Sequence, residues 1–352
     1  MAGKRERSDR ARRPTRGTER PGRGERPARA PARRAREARG IVALLAMVVA
    51  VGAAAAALAP PGASVSAAGG ESIVVAGKRI PIGTRVVLWD EKPFFDAAAR
   101  RRHDRPDVVL PERPAPGCDT PERIGKRAGV ASAGDLGRAV HQFVIHYDEA
   151  WTSANCFHVL QDIRGLSVHF LCDQDGTIYQ TCDAIERCRH ARAANDRSVG
   201  VEVAHPGALT DALAGRYRRD ARGVFLAVPE RFGAAPFRVS GFVPRPARPE
   251  PVRGRIHGRE IAQYDFTDEQ YEALARLAAG LARALPRIRL DAPRDSEGRV
   301  RTGVLGEEEA AAFEGILGHY HLQTDKTDPG PAFDWERVLK RAEAVRSARE
   351  PL

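Results

Sequence analysis

The 352-residue chain lacks several features that would narrow its class at once. It has no internal repeat, so a solenoid or propeller is not expected. No two of its five cysteines are spaced Cys-x-x-Cys, which argues against a zinc cluster held by cysteines. Residues 1–39 have almost no apolar side chains, only 15 Lys/Arg and 5 Asp/Glu among scattered Pro and Gly. Such a stretch cannot bury a core, and residues 1–40 are expected to be a disordered basic tail. Setting residues 1–39 aside takes 15 of the 57 basic and 5 of the 46 acidic residues, which leaves 42 against 41, a net of +1. Of the chain's charge of +11, +10 therefore belongs to the tail, and specific nucleic-acid binding by the folded part gains no support.

An apolar run comes directly after the tail. Ile41 to Ala59 is 19 residues without a charge, enough for a membrane-crossing helix at about 1.5 Å per residue. The positive flank precedes it, which puts the N-terminus in the cytoplasm and the remainder in the cell envelope outside it. A cleaved signal peptide is the rival, since Val65-Ser66-Ala67 offers small residues at a suitable spacing. The run exceeds the usual apolar region of about 7–15 residues, and so favours a retained anchor. All five cysteines lie beyond it, where disulfides form, and Cys182 with Cys188 is the first pair expected to close a bridge.

The chemistry-bearing residues come in separated pieces. Gln142-Phe143-Val144-Ile145-His146-Tyr147 reads as a buried strand that delivers a histidine at its tip. In Ser198-Val199-Gly200-Val201-Glu202-Val203 the alternation puts three valines on one face and Glu202 on the other. Near the C-terminus, Gly318-His319-Tyr320-His321 is followed by Lys326-Thr327-Asp328-Pro329-Gly330-Pro331. Histidine and carboxylate ligands with a lysine beside them suit a metal-assisted reaction that develops negative charge. His319 and His321, two apart on an extended segment, would face the same way, so periodicity does not choose between them. His103, His141, His158, His205 and His257 read as ordinary core or surface histidines.

Taken in order, these pieces resemble the zinc-dependent N-acetylmuramoyl-L-alanine amidases of the type shared with peptidoglycan recognition proteins. Leu166-Ser167-Val168-His169-Phe170, Asp175-Gly176-Thr177-Ile178-Tyr179-Gln180, His190-Ala191 and Asn195 also match, over roughly residues 140–205 and 260–340. The resemblance implies zinc ligands at His146, His319 and Asp328, a catalytic Glu202 and an oxyanion-stabilising Lys326. It places His169, His190 and Asn195 along the substrate groove. It implies hydrolysis of the amide between N-acetylmuramic acid and L-alanine of peptidoglycan. A non-catalytic peptidoglycan-binding module of the same fold is the alternative. Binding-only relatives tend to lose a metal ligand, and here all are present. The chain departs from the pattern at Asp148-Glu149, where many members carry a small hydroxyl residue. It departs again in a long Arg-, Pro- and Gly-rich insertion at about 207–262.

The expected architecture is mixed α/β: a central mixed sheet flanked by helices, in a domain over residues 135–345, as a monomer. Residues 60–134 read as linker and N-terminal extension, with extended runs at Ser72–Ala76 and Arg85–Trp89. Ser167–Cys172 and Thr177–Cys182 read as a hairpin around Asp173-Gln174-Asp175-Gly176. Thr267-Asp268-Glu269-Gln270 is a capping box. Behind it, Tyr271, Leu274, Leu277, Leu281 and Leu285 share one helical face until Pro286.

Overall fold

The computed structural model describes residues 70–97 and 124–348. The basic tail, the apolar run Ile41–Ala59, His103 and Cys118 lie outside the described residues. Among the described residues no helix is long and apolar enough to cross a membrane.

The strands are β1 Gly70–Val75, β2 Lys78–Leu88, β3 Ile124–Lys126, β4 Gln142–Tyr147, β5 Phe170–Cys172, β6 Ile178–Gln180, β7 Glu186–Cys188, β8 Ser198–Val203, β9 Tyr217–Asp220, β10 Gly223–Leu226, β11 Val252–Ile256, β12 Arg259–Gln263 and β13 Gly315–Gly318. The helices used below are α1 Ala133–Ala139, α2 Ser153–His158, α3 Asp211–Ala214, α4 Asp268–Ala284, α5 Glu307–Ala312 and α6 Trp335–Ser347. Seven strands form the central sheet in the order β1-β2-β6-β5-β8-β4-β13. β5, β8, β4 and β13 run parallel, as do β2 and β6, while β1–β2 and β5–β6 are antiparallel. The sheet is therefore mixed, as the sequence suggested.

Alternation along the strands sorts the side chains into two cores. Phe143, Ile145 and Tyr147 of β4 join Val199, Val201 and Val203 of β8 in one cluster with α4 and α6. The opposite face carries Val87, Leu171 and Tyr179, packed with Cys156 and Phe157 of α2, and separately Val144 and Leu317 with Ala310 of α5. Helix α4 is anchored by the expected capping box: Gln270 N–H donates to Thr267 Oγ1 at 3.1 Å, and Thr267 N–H to Gln270 Oε1 at 3.1 Å. Its apolar stripe of Tyr271, Leu274, Leu277 and Leu281 is fully buried against the sheet.

Three features differ from the sequence reading. Residues 70–88 are no separate extension, because β2 pairs with β6 through Val86–Ile178, Val87–Tyr179 and Leu88–Gln180 and so belongs to the sheet. The chain after β13 is a 3₁₀ turn, His319–His321, and not an extended segment. Residues two apart then point in different directions, since each step rotates by about a third of a turn. Finally, Cys182 and Cys188 are free buried thiols, with Sγ atoms 3.4 Å apart. The insertion folds as α3 and two hairpins, β9–β10 and β11–β12.

Candidate metal centre

β4 and β8 are parallel neighbours, and their register sets His146 opposite Glu202. The valines of β8 and the aromatics of β4 take the α4 side, so His146 and Glu202 fall on the other face. β13 pairs on the far side of β4 and ends at Gly318, next to Ile145, which brings His319 beside His146. The loop after the 3₁₀ turn returns Asp328, whose carbonyl accepts from Tyr320 N–H at 3.1 Å.

The three side chains converge. The Nδ1 atoms of His146 and His319 are 2.9 Å apart, and Asp328 Oδ2 lies 3.1 Å from the first and 2.9 Å from the second. Two imidazole nitrogens facing each other this closely need a proton or a metal ion between them. This spacing lets all three donors reach one ion at about 2.0–2.2 Å, the range for zinc with nitrogen and oxygen ligands. The group is buried and can hold a metal ion. Burial, with the charge of His319 and then Lys326, pushes His146 down to about 4, which keeps one ring-nitrogen lone pair available near neutral pH. Burial alone would raise Asp328, but the charges and hydrogen bonds of His319 and His146 overcome it and hold the carboxylate below its usual range.

The supporting contacts suit ligation. His146 Nε2 is 3.0 Å from His190 Nδ1, His190 Nε2 is 3.4 Å from Ser198 Oγ, and that hydroxyl donates to Ala194 O at 2.7 Å. With Nδ1 turned to an ion, His146 carries its proton on Nε2 and donates it to a neutral His190. Burial, then the charges of His146, His169 and His319, indeed push His190 well below the ordinary histidine range. His190 lies so close to β8 that a Cβ on Gly200 would come within 2.5 Å of its ring. On the other ligand, Gln323 Nε2 faces His319 Nε2 at 2.5 Å, while Gln323 Oε1 is buried without a partner. Turned over, the carboxamide oxygen accepts from His319 Nε2–H, which leaves Nδ1 for a metal.

Glu202 and Lys326 are half-buried, and their side chains make no hydrogen bond or ion pair to another described residue. Burial, then the negative charges of Asp328 and Asp148, raises the Glu202 carboxyl well above its ordinary value. The positive charge of Lys326 acts on His146, Glu149 and Glu202. Asp148 is pushed up to about 7 by burial, although its Oδ1 accepts from Ala150 N–H at 2.8 Å and His205 N–H at 3.0 Å. Exposed Glu149 adopts a left-handed φ of 50°.

His321, the residue that periodicity could not separate from His319, points away, accepting from Gly318 N–H at 2.9 Å and meeting Arg301 O at 2.7 Å. His169 and Asn195 sit behind the centre and not in an open groove. His169 accepts from Gly200 N–H at 3.1 Å and meets Glu186 O at 3.0 Å, and it is fully buried. Asn195 Oδ1 accepts from the N–H groups of His190 at 3.0 Å and Ala191 at 2.7 Å. A substrate contact through these atoms would require breaking the bonds that shape the centre. Sequence reasoning missed Gln323, whose signal was its place four residues after a ligand histidine.

Residues 136–331 match the N-acetylmuramoyl-L-alanine amidase family. No curated protein matches the chain. Among solved structures it is similar to an AmpD derivative, at 17% identity over 66% of this chain and 98% of that one, with a TM-score of 0.32. It is also similar to AmpDH3 of Pseudomonas aeruginosa in complex with anhydromuramic pentapeptide, at 16% identity over 61% and 64%, with a TM-score of 0.33. A third is AmiD of E. coli in complex with anhydro-N-acetylmuramic acid-L-Ala-D-gamma-Glu-L-Lys, at 16% identity over 58% and 57%, with a TM-score of 0.32. Likenesses this distant add no weight, but the family match takes in more than half of the chain and spans every residue of the centre: the chain belongs to the N-acetylmuramoyl-L-alanine amidase family.

Proposed function

We propose that the protein is a zinc-dependent hydrolase of the amide between the lactyl group of N-acetylmuramic acid and L-alanine, acting in cell-wall remodelling or turnover. The observation that carries this reading is the convergence of His146, His319 and Asp328 at 2.9–3.1 Å, with Glu202 in register opposite His146. Two imidazoles and one carboxylate match the three protein ligands of a catalytic zinc site and leave a fourth position open. A bound zinc ion would polarise the scissile carbonyl and make water acidic enough to ionise near neutral pH.

The chain's own residues supply the remainder. Glu202, desolvated and without an ion-pair partner among the described residues, takes the proton of the attacking water and returns it to the departing amine nitrogen. Lys326 sets its positive charge against the oxyanion that forms at the carbonyl. His190 and Gln323 hold the two histidines in the tautomer that turns Nδ1 inward, while His169 and Asn195 support that arrangement from behind. Elemental analysis of the purified protein is expected to find one zinc per chain, lost in His146→Ala and in Asp328→Ala. Stoichiometric zinc in both variants would rule out this donor set.

The proposal extends to place. The +10 tail before an uncharged apolar run supports an anchored protein whose catalytic domain faces the cell wall. Protease added to intact spheroplasts should digest that domain and spare an N-terminal tag, and protection of the domain would sink the orientation.

A further inference from the structure

The β11–β12 hairpin lies in the long insertion, to which the functional reading gives no task. Its turn consists of His257 and Gly258, with φ of 50° and 74°, the positive pair of a two-residue hairpin loop. Asn, Asp or Gly usually fills the first of these positions. Here the histidine side chain is engaged: Nε2 lies 3.0 Å from Lys326 O and 3.2 Å from Gln323 O. Both partners only accept, so Nε2 carries its proton and donates to them together. Along the strand, Gly254 backs directly onto Pro331, where a Cβ would come within 2.6 Å of the proline Cβ. At the base, buried Gln263 donates to Pro329 O at 3.1 Å and accepts from Ala332 N–H at 3.1 Å. The hairpin thus runs along residues 323–332, the segment that carries Lys326 and Asp328.

We infer that this hairpin braces the 323–332 segment and that His257 is a positioning residue, fixing where the Lys326 side chain leaves the backbone. The inference rests on the role given to Lys326 above. Without the clamp on its carbonyl, Lys326 keeps its charge and loses its place. A misplacement of about 1 Å at a catalytic group can cost about 10²-fold.

The test uses the full-length protein on purified peptidoglycan, with His257→Asn, His257→Gln, Lys326→Ala and the His257→Asn/Lys326→Ala double variant. Asn suits the turn but is too short to reach the two carbonyls, whereas the Gln side chain is long enough to reach them. His257→Asn should lower kcat by about 10- to 100-fold with KM and bound metal unchanged. His257→Gln should recover most of that loss, and the double variant should be no slower than Lys326→Ala. A normal rate in His257→Asn, or the same fold-loss from it in both backgrounds, would overturn the positioning role alone. A normal rate in Lys326→Ala would instead overturn the role of the lysine, and the brace with it. Should His257→Asn fail to fold, His257→Gly, which suits the positive φ and cannot reach the two carbonyls, takes its place in both lysine backgrounds with the same outcomes.

Discussion

Replacing Glu202 by Gln isolates the proposed base, because Gln keeps the size and most of the hydrogen-bonding capacity of the side chain. The carboxylate has no hydrogen-bond or ion-pair partner to lose among the described residues, and it sits opposite His146 without belonging to the ligand triangle. Bound metal should therefore stay at one per chain while kcat falls by about 10²–10⁴-fold, the usual worth of general acid–base catalysis. At about 1.4 kcal/mol per tenfold, that is roughly 3–5 kcal/mol of barrier. Stability should move the other way. Burial raises the Glu202 carboxyl above its ordinary 4.5, so in the metal-free protein its contribution is complete below that value and is lost as pH rises through the folded one. The Gln variant carries no charge to desolvate. It should be the more stable of the two at neutral pH, by about 1.4 kcal/mol for each pH unit by which burial raises the carboxyl. Rates of new L-alanine amino termini, metal analysis and thermal melts of chelated protein from pH 4 to 8 read all three effects. A near-normal rate with metal retained would mean that another group activates the water, and melts of wild type and variant that run parallel across this range would refute the desolvation argument.

Two further outcomes rest on the contacts around the centre. Gln323→Leu removes the acceptor for His319 Nε2–H and should weaken zinc binding by about 10–100-fold, read by competition with a chromophoric chelator. Unchanged affinity would leave the turned-over carboxamide without a role. Activity of the wild-type protein should fall on the acid side as Glu202 takes up a proton, an acid limb that Glu202→Gln lacks in its residual rate.

Local signals were the legible ones. The Thr267–Gln270 box and the stripe from Tyr271 to Leu281 specify α4 because capping and 3.6-residue periodicity are written within a few turns of chain. The valines of β8 likewise gave the facing of Glu202, since a strand sorts its side chains every second residue. What escaped was set by distant contacts. β2 belongs to the sheet only through β6, and nothing between Arg85 and Leu88 reveals a partner near residue 178. The choice between His319 and His321 depended on a single 3₁₀ turn, which periodicity had read as extended chain. His257 looked ordinary because its significance lies in two carbonyls some seventy residues on, although His-Gly between alternating segments was a hairpin signal.

The most direct test of the central claim is the chemistry of the cut. Purified peptidoglycan incubated with the full-length protein and zinc, with products identified by mass, should yield stem peptides beginning at L-alanine and glycans bearing free lactyl carboxylates. The products should vanish in the presence of a chelator and in Asp328→Ala. Cleavage within the glycan or between amino acids of the stem, or undiminished cleavage after metal removal, would contradict the account.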